Sequence, residues 1–336
     1  MEQNEPSLEL VWSTFTGYQR TAALKAALDL DVFTHIAAGL VTVDALAPAC
    51  KAAPRGLRAL LGHLAMDGFL TRDGDRYGLS ATSAMMLDRN SPTFVGSAAE
   101  FIASPMIMET FSRLTDAIRR GGTAVGDEGT LEADHPVWVQ FARAMAPLAR
   151  MTGMLVGNLL DVERAPGWKV LDIAAGHGMF GITLAQMNPD VRVTALDWKN
   201  VLAVAQENAR QAGVDSRFEF LPGSAFDVSF GEGYDVILVP NFLHHFDPRT
   251  CENVLSKVRA ALKPGGRVVI VEFVPDDDRS GPADAVRFGL VMLASTPSGD
   301  AYTFAEYQTM LRNSGFTDST LHDLPPSPAR VVIAQR

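Results

Sequence analysis

Residues 168–181, Trp-Lys-Val-Leu-Asp-Ile-Ala-Ala-Gly-His-Gly-Met-Phe-Gly, constrain what this chain can fold into more than any other stretch. A short apolar strand runs into an acid, then two closely spaced glycines, then a helix, the order in which open α/β sheets offer a nucleotide-cofactor pocket at the carboxyl ends of their strands. Gly176, Gly178 and Gly181 fit G-x-G-x-x-G, a pattern shared by dinucleotide folds and by chance, so the glycines alone decide little. The acid decides more. Asp172 stands four residues before Gly176, where a pyrophosphate would meet a like charge but a cationic ligand would gain a partner.

S-adenosylmethionine carries a sulfonium and an ammonium and suits this loop better than NAD does. A second acid falls where a ribose needs one: Val191–Asp197 reads as the next strand, and Asp197 lies 19 residues past Gly178, close to the spacing of a carboxylate that accepts from ribose hydroxyls. Asp197 also stands where it could cap the helix starting near Lys199, and the two roles are compatible. Gly233–Pro240 is a buried-type strand, and Ala261–Glu272 holds a helix stop followed by another. This alternation predicts a parallel sheet wound on both faces. Thr303-Phe-Ala-Glu306 is a capping box opening a helix that ends at Gly315, and Ser319–Leu324 and Arg330–Gln335 flank a Pro-rich turn. The expected fold class is therefore α/β, a doubly wound, mostly parallel sheet with an antiparallel C-terminal hairpin strand.

With 336 residues, about two domains are expected, and 47% hydrophobic with 20% charged residues is an ordinary globular composition. No stretch approaches the roughly 18 apolar residues of a membrane helix and no secretory signal is visible, so a cytoplasmic location and no membrane partner are expected. Cys50 and Cys251 lack Cys or His partners at metal-ligand spacing, which predicts two reduced thiols and no metal site. A net charge of −10 argues against a nucleic-acid partner.

The first hundred residues form a different module. A long helical pattern occupies 11–40, and Thr42–Ala47 and Ala53–Gly68 read as short capped helices. Phe69–Leu79 reads as a hairpin turning at Asp73-Gly74, so helices followed by a wing describe a winged helix. DNA reading by helix 54–67 is the rival function this raises. Residues 1–100 carry 8 Lys and Arg against 11 Asp and Glu, the wrong sign for binding dominated by phosphate contacts.

The Asp172 loop, the Leu262-Lys-Pro-Gly-Gly266 turn and the closing strands resemble class I S-adenosylmethionine-dependent methyltransferases over residues 150–336. With the winged helix in front, nearly the whole chain is similar to the plant-type and bacterial small-molecule O-methyltransferase family. The resemblance implies a seven-stranded sheet, a dimerisation domain over 1–91, a helical linker over 92–160 lining the substrate site, and a cofactor-binding domain over 161–336. It also implies a homodimer and a small-molecule methyl acceptor. The linker is rich in methionine, at Met106, Met108, Met145, Met151 and Met154, whose thioethers suit either a mouldable pocket or ordinary core filling.

Methyl transfer to a hydroxyl needs the reactants positioned and a proton removed, and a neutral imidazole is the usual base for a phenol. Pro240–Asp247 puts His244 and His245 just past the carboxyl end of a strand, where open sheets keep their sites. Matched to the family's run, His244 takes the place of the base, His245 replaces an aspartate and Phe246 stands for an aromatic. Glu272 matches the acid that orients the histidine, a bond that fixes the imidazole tautomer. The family's second catalytic glutamate is missing, since Ala301 stands there with Asp300 adjacent. Gly223-Ser-Ala-Phe226 likewise departs from the family's Gly-Asp-Met-Phe, leaving the Ser224 hydroxyl, Ala225 and Phe226 near an adenine. The expected cofactor set is Asp172, Gly176, Gly178, Asp197, Trp198, Ser224, Ala225, Phe226 and Asn241. O-methylation of a small aromatic molecule is the first expectation. C-methylation with a metal held by His244 and His245, an NAD-dependent oxidoreductase and a ligand-sensing DNA-binding regulator stand against it.

Overall fold

The computed structural model describes residues 6–126 and 136–336, which form two compact units, Met1–Ser104 and Pro105–Arg336. In the first, helix α1 (Leu8–Asp29) starts under a Ser7 cap, whose hydroxyl accepts from the Leu10 N–H at 3.1 Å. The helical pattern expected through 40 is interrupted, because Leu30 and left-handed Asp31 (φ 53°) turn the chain before α2 (Val32–Ala37). After α3 (Val43–Ala49), helix α4 (Pro54–Met66) opens on a proline, which costs a first-turn residue no hydrogen bond, and buries Leu57, Leu61 and Leu64 along one face. Strands β1 (Leu70–Asp73) and β2 (Arg76–Leu79) pair antiparallel, with Asp73 opposite Arg76. The turn is thus Gly74-Asp75, one residue later than expected, and puts the glycine at the loop position that requires positive φ (61°). Two short helices, α5 (Ala81–Met86) and α6 (Ala99–Ile102), complete the unit around a core that includes Phe33, Leu46, Leu61 and Tyr77.

In the second unit, the helical run expected over 105–120 splits at Arg113 into α7 (Pro105–Ser112) and α8 (Leu114–Arg120). Thr110 and Ser112 there turn their hydroxyls back onto the Ile107 and Glu109 carbonyls, a local competition that weakens a helix end. Helix α9 (Pro136–Leu159) lies on the sheet-covering layer. The alternating part follows as β3 (Lys169–Ile173), α10 (Met179–Met187), β4 (Arg192–Asp197), α11 (Lys199–Gln211), β5 (Phe218–Pro222), β6 (Tyr234–Pro240), α12 (Pro248–Ala261) and β7 (Leu262–Glu272). Helices α13 (Ala283–Ser295) and α14 (Phe304–Asn313) and strands β8 (Ser319–Asp323) and β9 (Arg330–Gln335) close the chain. The capping box at Thr303 and Glu306 forms reciprocally, as the sequence predicts.

The sheet order is β5-β4-β3-β6-β7-β9-β8. Six strands run in one direction, five of them paired parallel, and β9 slots antiparallel between β7 and β8, so the strand of opposite direction sits one place in from the edge. Central strands are buried on both faces, which is why β3 and β6 are mostly apolar, with Val170-Leu171 and Val236–Val239 at their centres. Between the Tyr234–Leu262 and Val236–Arg267 pairs the Lys-Pro-Gly-Gly turn is accommodated as an irregularity of β7. The chain leaves β3 for β4 and β5 on one side and returns to β6 on the other, making the β3/β6 boundary the switch point where such sheets bind ligands. Among the described residues no helix is long and apolar enough to cross a membrane.

Candidate active site

The glycine loop leaves β3 at the switch point with Ala174, Gly176 and Gly178 all at positive φ (52°, 57° and 73°). Gly178 precedes α10 directly, and Gly181 does something different: a Cβ there would lie 2.7 Å from Val193 Cγ1 and 3.3 Å from Asp172 Oδ2. Two glycines turn the loop, and the third lets the helix approach the sheet. Asp172 is wholly buried; its Oδ2 accepts from the Gly181 N–H at 3.2 Å, and its Oδ1 has no hydrogen-bond partner among the described residues. Burial pushes this carboxyl up to about 7, the Gly181 bond opposing and the Asp197 charge adding to the rise.

Asp197 closes the other side. Its Oδ2 accepts from Gly176 N at 2.8 Å and its Oδ1 from Trp198 N at 2.7 Å, while burial raises it to about 6 against these two bonds. Its side chain does not bond the later N–H groups of α11, so the capping role gives way to bracing the glycine loop. Trp198 packs beside Ala142 of α9 and Val201 of α11. Beyond β5, Gly223 N donates to the Asp197 carbonyl at 2.9 Å, Ser224 Oγ accepts from Phe226 N at 3.1 Å, and Lys257 ties down the Ala225 and Phe226 carbonyls. The Ser224 hydroxyl thus braces its own turn, and Phe226 forms an aromatic cluster with Phe242 and Phe246.

The strand β6 ends in left-handed Asn241 (φ 51°), whose N–H donates to the Val271 carbonyl at 2.9 Å, and a single 3-10 turn follows over Leu243–His245. Asparagine tolerates this region better than most residues, so a tight reversal drops the two histidines onto the end of β7. There Glu272, buried to 1% exposure, accepts from Phe242 N (2.9 Å) and Leu243 N (3.1 Å) through Oε1 and bonds His244 Nδ1 through Oε2. His244 Nε2 lies 3.2 Å from His245 Nε2, and Phe288 of α13 meets the His244 ring edge-on at 4.8 Å. The His245 ring rests against Trp138 of α9 at 5.2 Å, and its burial beside His244 holds it well below the ordinary imidazole range.

The structure therefore brings Asp172, Gly176, Gly178 and Asp197 into one cradle and His244 with Glu272 into one buried pair. Where the resembled family has a second acid, this chain has Ala301, which is buried, and the adjacent Asp300 is held by Arg279 at 3.1 Å. Among the described residues no group of three or more metal-ligating side chains gathers. Sequence reasoning passed over His177, whose Nδ1 accepts from Met179 N and whose ring stacks on Phe141, with burial lowering it to about 4. It also passed over Gly299. A Cβ at Gly299 would lie 2.2 Å from the His244 carbonyl oxygen and 2.9 Å from the His245 carbonyl carbon, both backbone atoms that cannot yield cheaply. Only its place in a Pro-Ser-Gly loop hinted at this. Gly299→Ala is expected to displace the histidine turn, cutting turnover about 100-fold and lowering stability by about 1–3 kcal/mol, read from initial rates and thermal melts.

Comparison with known proteins follows the same two-part division. A family model described as an O-methyltransferase domain matches residues 111–317, and one described as an O-methyltransferase dimerisation domain matches residues 12–89. The chain is 30% identical over 300 residues, 88% of this chain and 87% of the relative, to the tetracenomycin polyketide synthesis 8-O-methyl transferase of Streptomyces glaucescens. It is 28% identical over 310 residues, 90% of this chain and 88% of the relative, to the 3-hydroxy-5-methyl-1-naphthoate 3-O-methyltransferase of Streptomyces sahachiroi. Among solved structures, a candidate O-methyltransferase from Nostoc punctiforme superimposes with a TM-score of 0.93 at 48% identity, covering 99% of this chain and 100% of the other. The human N-acetylserotonin methyltransferase in complex with SAM shares the fold, with a TM-score of 0.86 at 23% identity over 100% and 99% of the two chains.

Proposed function

The chain belongs to the O-methyltransferase family, and from that premise we propose that it moves a methyl group from S-adenosylmethionine to a hydroxyl of a small aromatic molecule, with His244 as general base. The observation that carries this reading is the buried His244–Glu272 pair at the carboxyl ends of β6 and β7, beside β3, whose Asp172 keeps one oxygen unpartnered among the described residues just before the glycine loop. A carboxylate on Nδ1 leaves Nε2 as the proton acceptor, the requirement for deprotonating a phenol at neutral pH. Asp172 Oδ1, buried and unpartnered among the described residues, fits a donor that brings positive charge with hydrogen-bond donors. Asp172, Gly176 and Gly178 would hold the amino-acid end, Asp197 and Trp198 the ribose, and Ser224, Ala225, Phe226 and Asn241 the adenine side. When bound, the sulfonium supplies an electrophilic methyl group; the protein aligns it with the acceptor and takes the acceptor's proton.

The activities that two relatives are named for, on a tetracenomycin polyketide and on a naphthoate, support a flat aromatic acceptor. Trp138 and Phe288, both in ring contact with the histidine pair, offer apolar surface for such a molecule. The match to a dimerisation domain, together with a first helix whose Leu8, Trp12, Phe15 and Tyr18 are mostly exposed, supports a homodimer, and a net charge of −10 favours partners other than nucleic acid. In this reading residues 1–91 serve dimerisation, 92–160 line the acceptor site, and 161–336 bind the donor. Calorimetry tests it: S-adenosylhomocysteine is expected to bind and NADH to give no heat, with light scattering at twice the chain's mass. Heat from NADH alone would overturn the assignment.

A further inference from the structure

The turn after β5 is held from behind by one side chain. Lys257 projects from α12, a helix fixed in place by Cys251, Val254, Leu255 and Val258, which are wholly buried in one core with residues of β6 and β7. Its Nζ donates to the carbonyls of Ala225 at 2.7 Å, Phe226 at 2.8 Å and Val228 at 3.0 Å, and lies 4.5 Å from the centre of the Phe230 ring. An ammonium has three N–H donors, and all three here go to backbone oxygens, so none is left for a ligand. What Lys257 does instead is fix the peptide groups it bonds. The Ala225–Phe226 peptide is tied at both ends, its carbonyl by Lys257 and its N–H by Ser224 Oγ at 3.1 Å. The next peptide is tied in the same way, its carbonyl by Lys257 and the Asp227 N–H by the Ser224 carbonyl at 3.1 Å. Two successive peptides bonded at both ends leave the turn little freedom.

Phe226 is the side chain that this backbone aims. Its ring lies 6.1 Å from Phe242 and meets Phe246 edge-on at 5.0 Å, yet the residue stays 41% exposed, so part of the ring remains open beside the histidine turn. An open aromatic surface on a backbone without slack suits a flat ring. We infer, on the reading of this turn as the adenine side of the donor site, that Lys257 is a positioning residue for the adenine. It does not touch the ligand; it sets the Ala225 and Phe226 backbone and, through it, the ring against which the adenine lies. Where the resembled family has a carboxylate in this turn, Ser224 has a hydroxyl that already accepts from Phe226 N, so the hold on the base depends on placement and not on a further charge. Without Lys257 the three carbonyls turn to water and the turn gains freedom that binding must remove again, a cost that falls on the part of the ligand meeting the turn.

Displacement calorimetry on the full chain tests this with two ligands, S-adenosylhomocysteine and S-ribosylhomocysteine, the same molecule with a hydroxyl in place of the adenine, followed to millimolar concentration. Lys257→Met is expected to lose about 10-fold in affinity for the first and less than about 2-fold for the second. Lys257→Gln keeps a polar head with two N–H donors and is expected to show a smaller loss with the same selectivity. An equal loss for both ligands, or no loss for either, would overturn the positioning role of Lys257. An unaltered protein that binds neither ligand would instead overturn the donor assignment beneath it.

Discussion

His244→Ala is expected to lower turnover of a phenolic acceptor by about 10²- to 10⁴-fold while cofactor affinity stays within a few-fold, the range a positioned general base contributes. The ring is buried at the end of β6 and touches the acid of β7, so its removal takes the proton acceptor without touching the glycine loop on β3. Glu272→Gln is the sharper variant of the same prediction. A glutamine carbonyl oxygen can keep the bonds from Phe242 N and Leu243 N, but its amide would then donate to His244 Nδ1 and force the proton onto Nε2. The fold keeps its hydrogen bonds and the base loses its lone pair, so a comparable loss of rate is expected with a small change in melting temperature. Rates measured at saturating donor check both; a Glu272→Gln enzyme working at the original rate would show that the pair is structural.

Asp172→Asn is expected to separate stability from binding. In the free protein, burial raises the Asp172 carboxyl from 3.8 to about 7, so the folded state holds a proton that the unfolded chain releases above its own pKa. Stability from this group is therefore lost as pH rises from near 4 towards 7, amounting to about 4 kcal/mol once fully ionised. Asparagine removes that cost and can still accept from Gly181 N, so the free variant is expected to melt at or above the parent at pH 8. Donor binding has the opposite sign. A cation favours the ionised forms of Asp172 and Asp197, which sit at about 7 and about 6, so affinity is expected to climb between about pH 5.5 and 8 with protons released on binding. The variant is expected to lose about 100-fold or more in affinity and most of that pH dependence, as pairing at a buried site requires. Calorimetry in buffers of different ionisation enthalpy measures both; unchanged affinity in Asp172→Asn would show that this carboxylate does not meet the ligand's charge.

These effects were legible in the sequence to different degrees, for physical reasons. Strands such as β3 and β6 are buried on both faces and are mostly apolar, interrupted by Asp172 and Asp235, so their places and the acids and histidines at or near their ends could be read directly. The capping box at Thr303 works through bonds three residues apart and is local enough to be visible. What could not be read depends on contacts across the fold. The Asp197 carboxylate accepts from its neighbour Trp198 N and also from Gly176 N, which only the pairing of β3 with β4 brings near. The breaks at Asp31 and Arg113 fall inside runs whose composition stays helical, and tertiary packing with local side-chain bonds decides them. Gly299 matters because a loop after α13 passes over the histidine turn, far away along the chain. The pairing of His244 with His245 needs the 3-10 turn after Asn241, which adjacent histidines in a sequence do not announce.

The most direct measurement supplies the donor with an isotopically labelled methyl group alongside hydroxynaphthoates, acetylserotonin and polycyclic polyketide phenols, then locates the label in each product. Label on a phenolic oxygen, formed by the parent protein and lost in His244→Ala, is the expected result. Label on a ring carbon, or equal label on oxygen with and without the His244 imidazole, would contradict it.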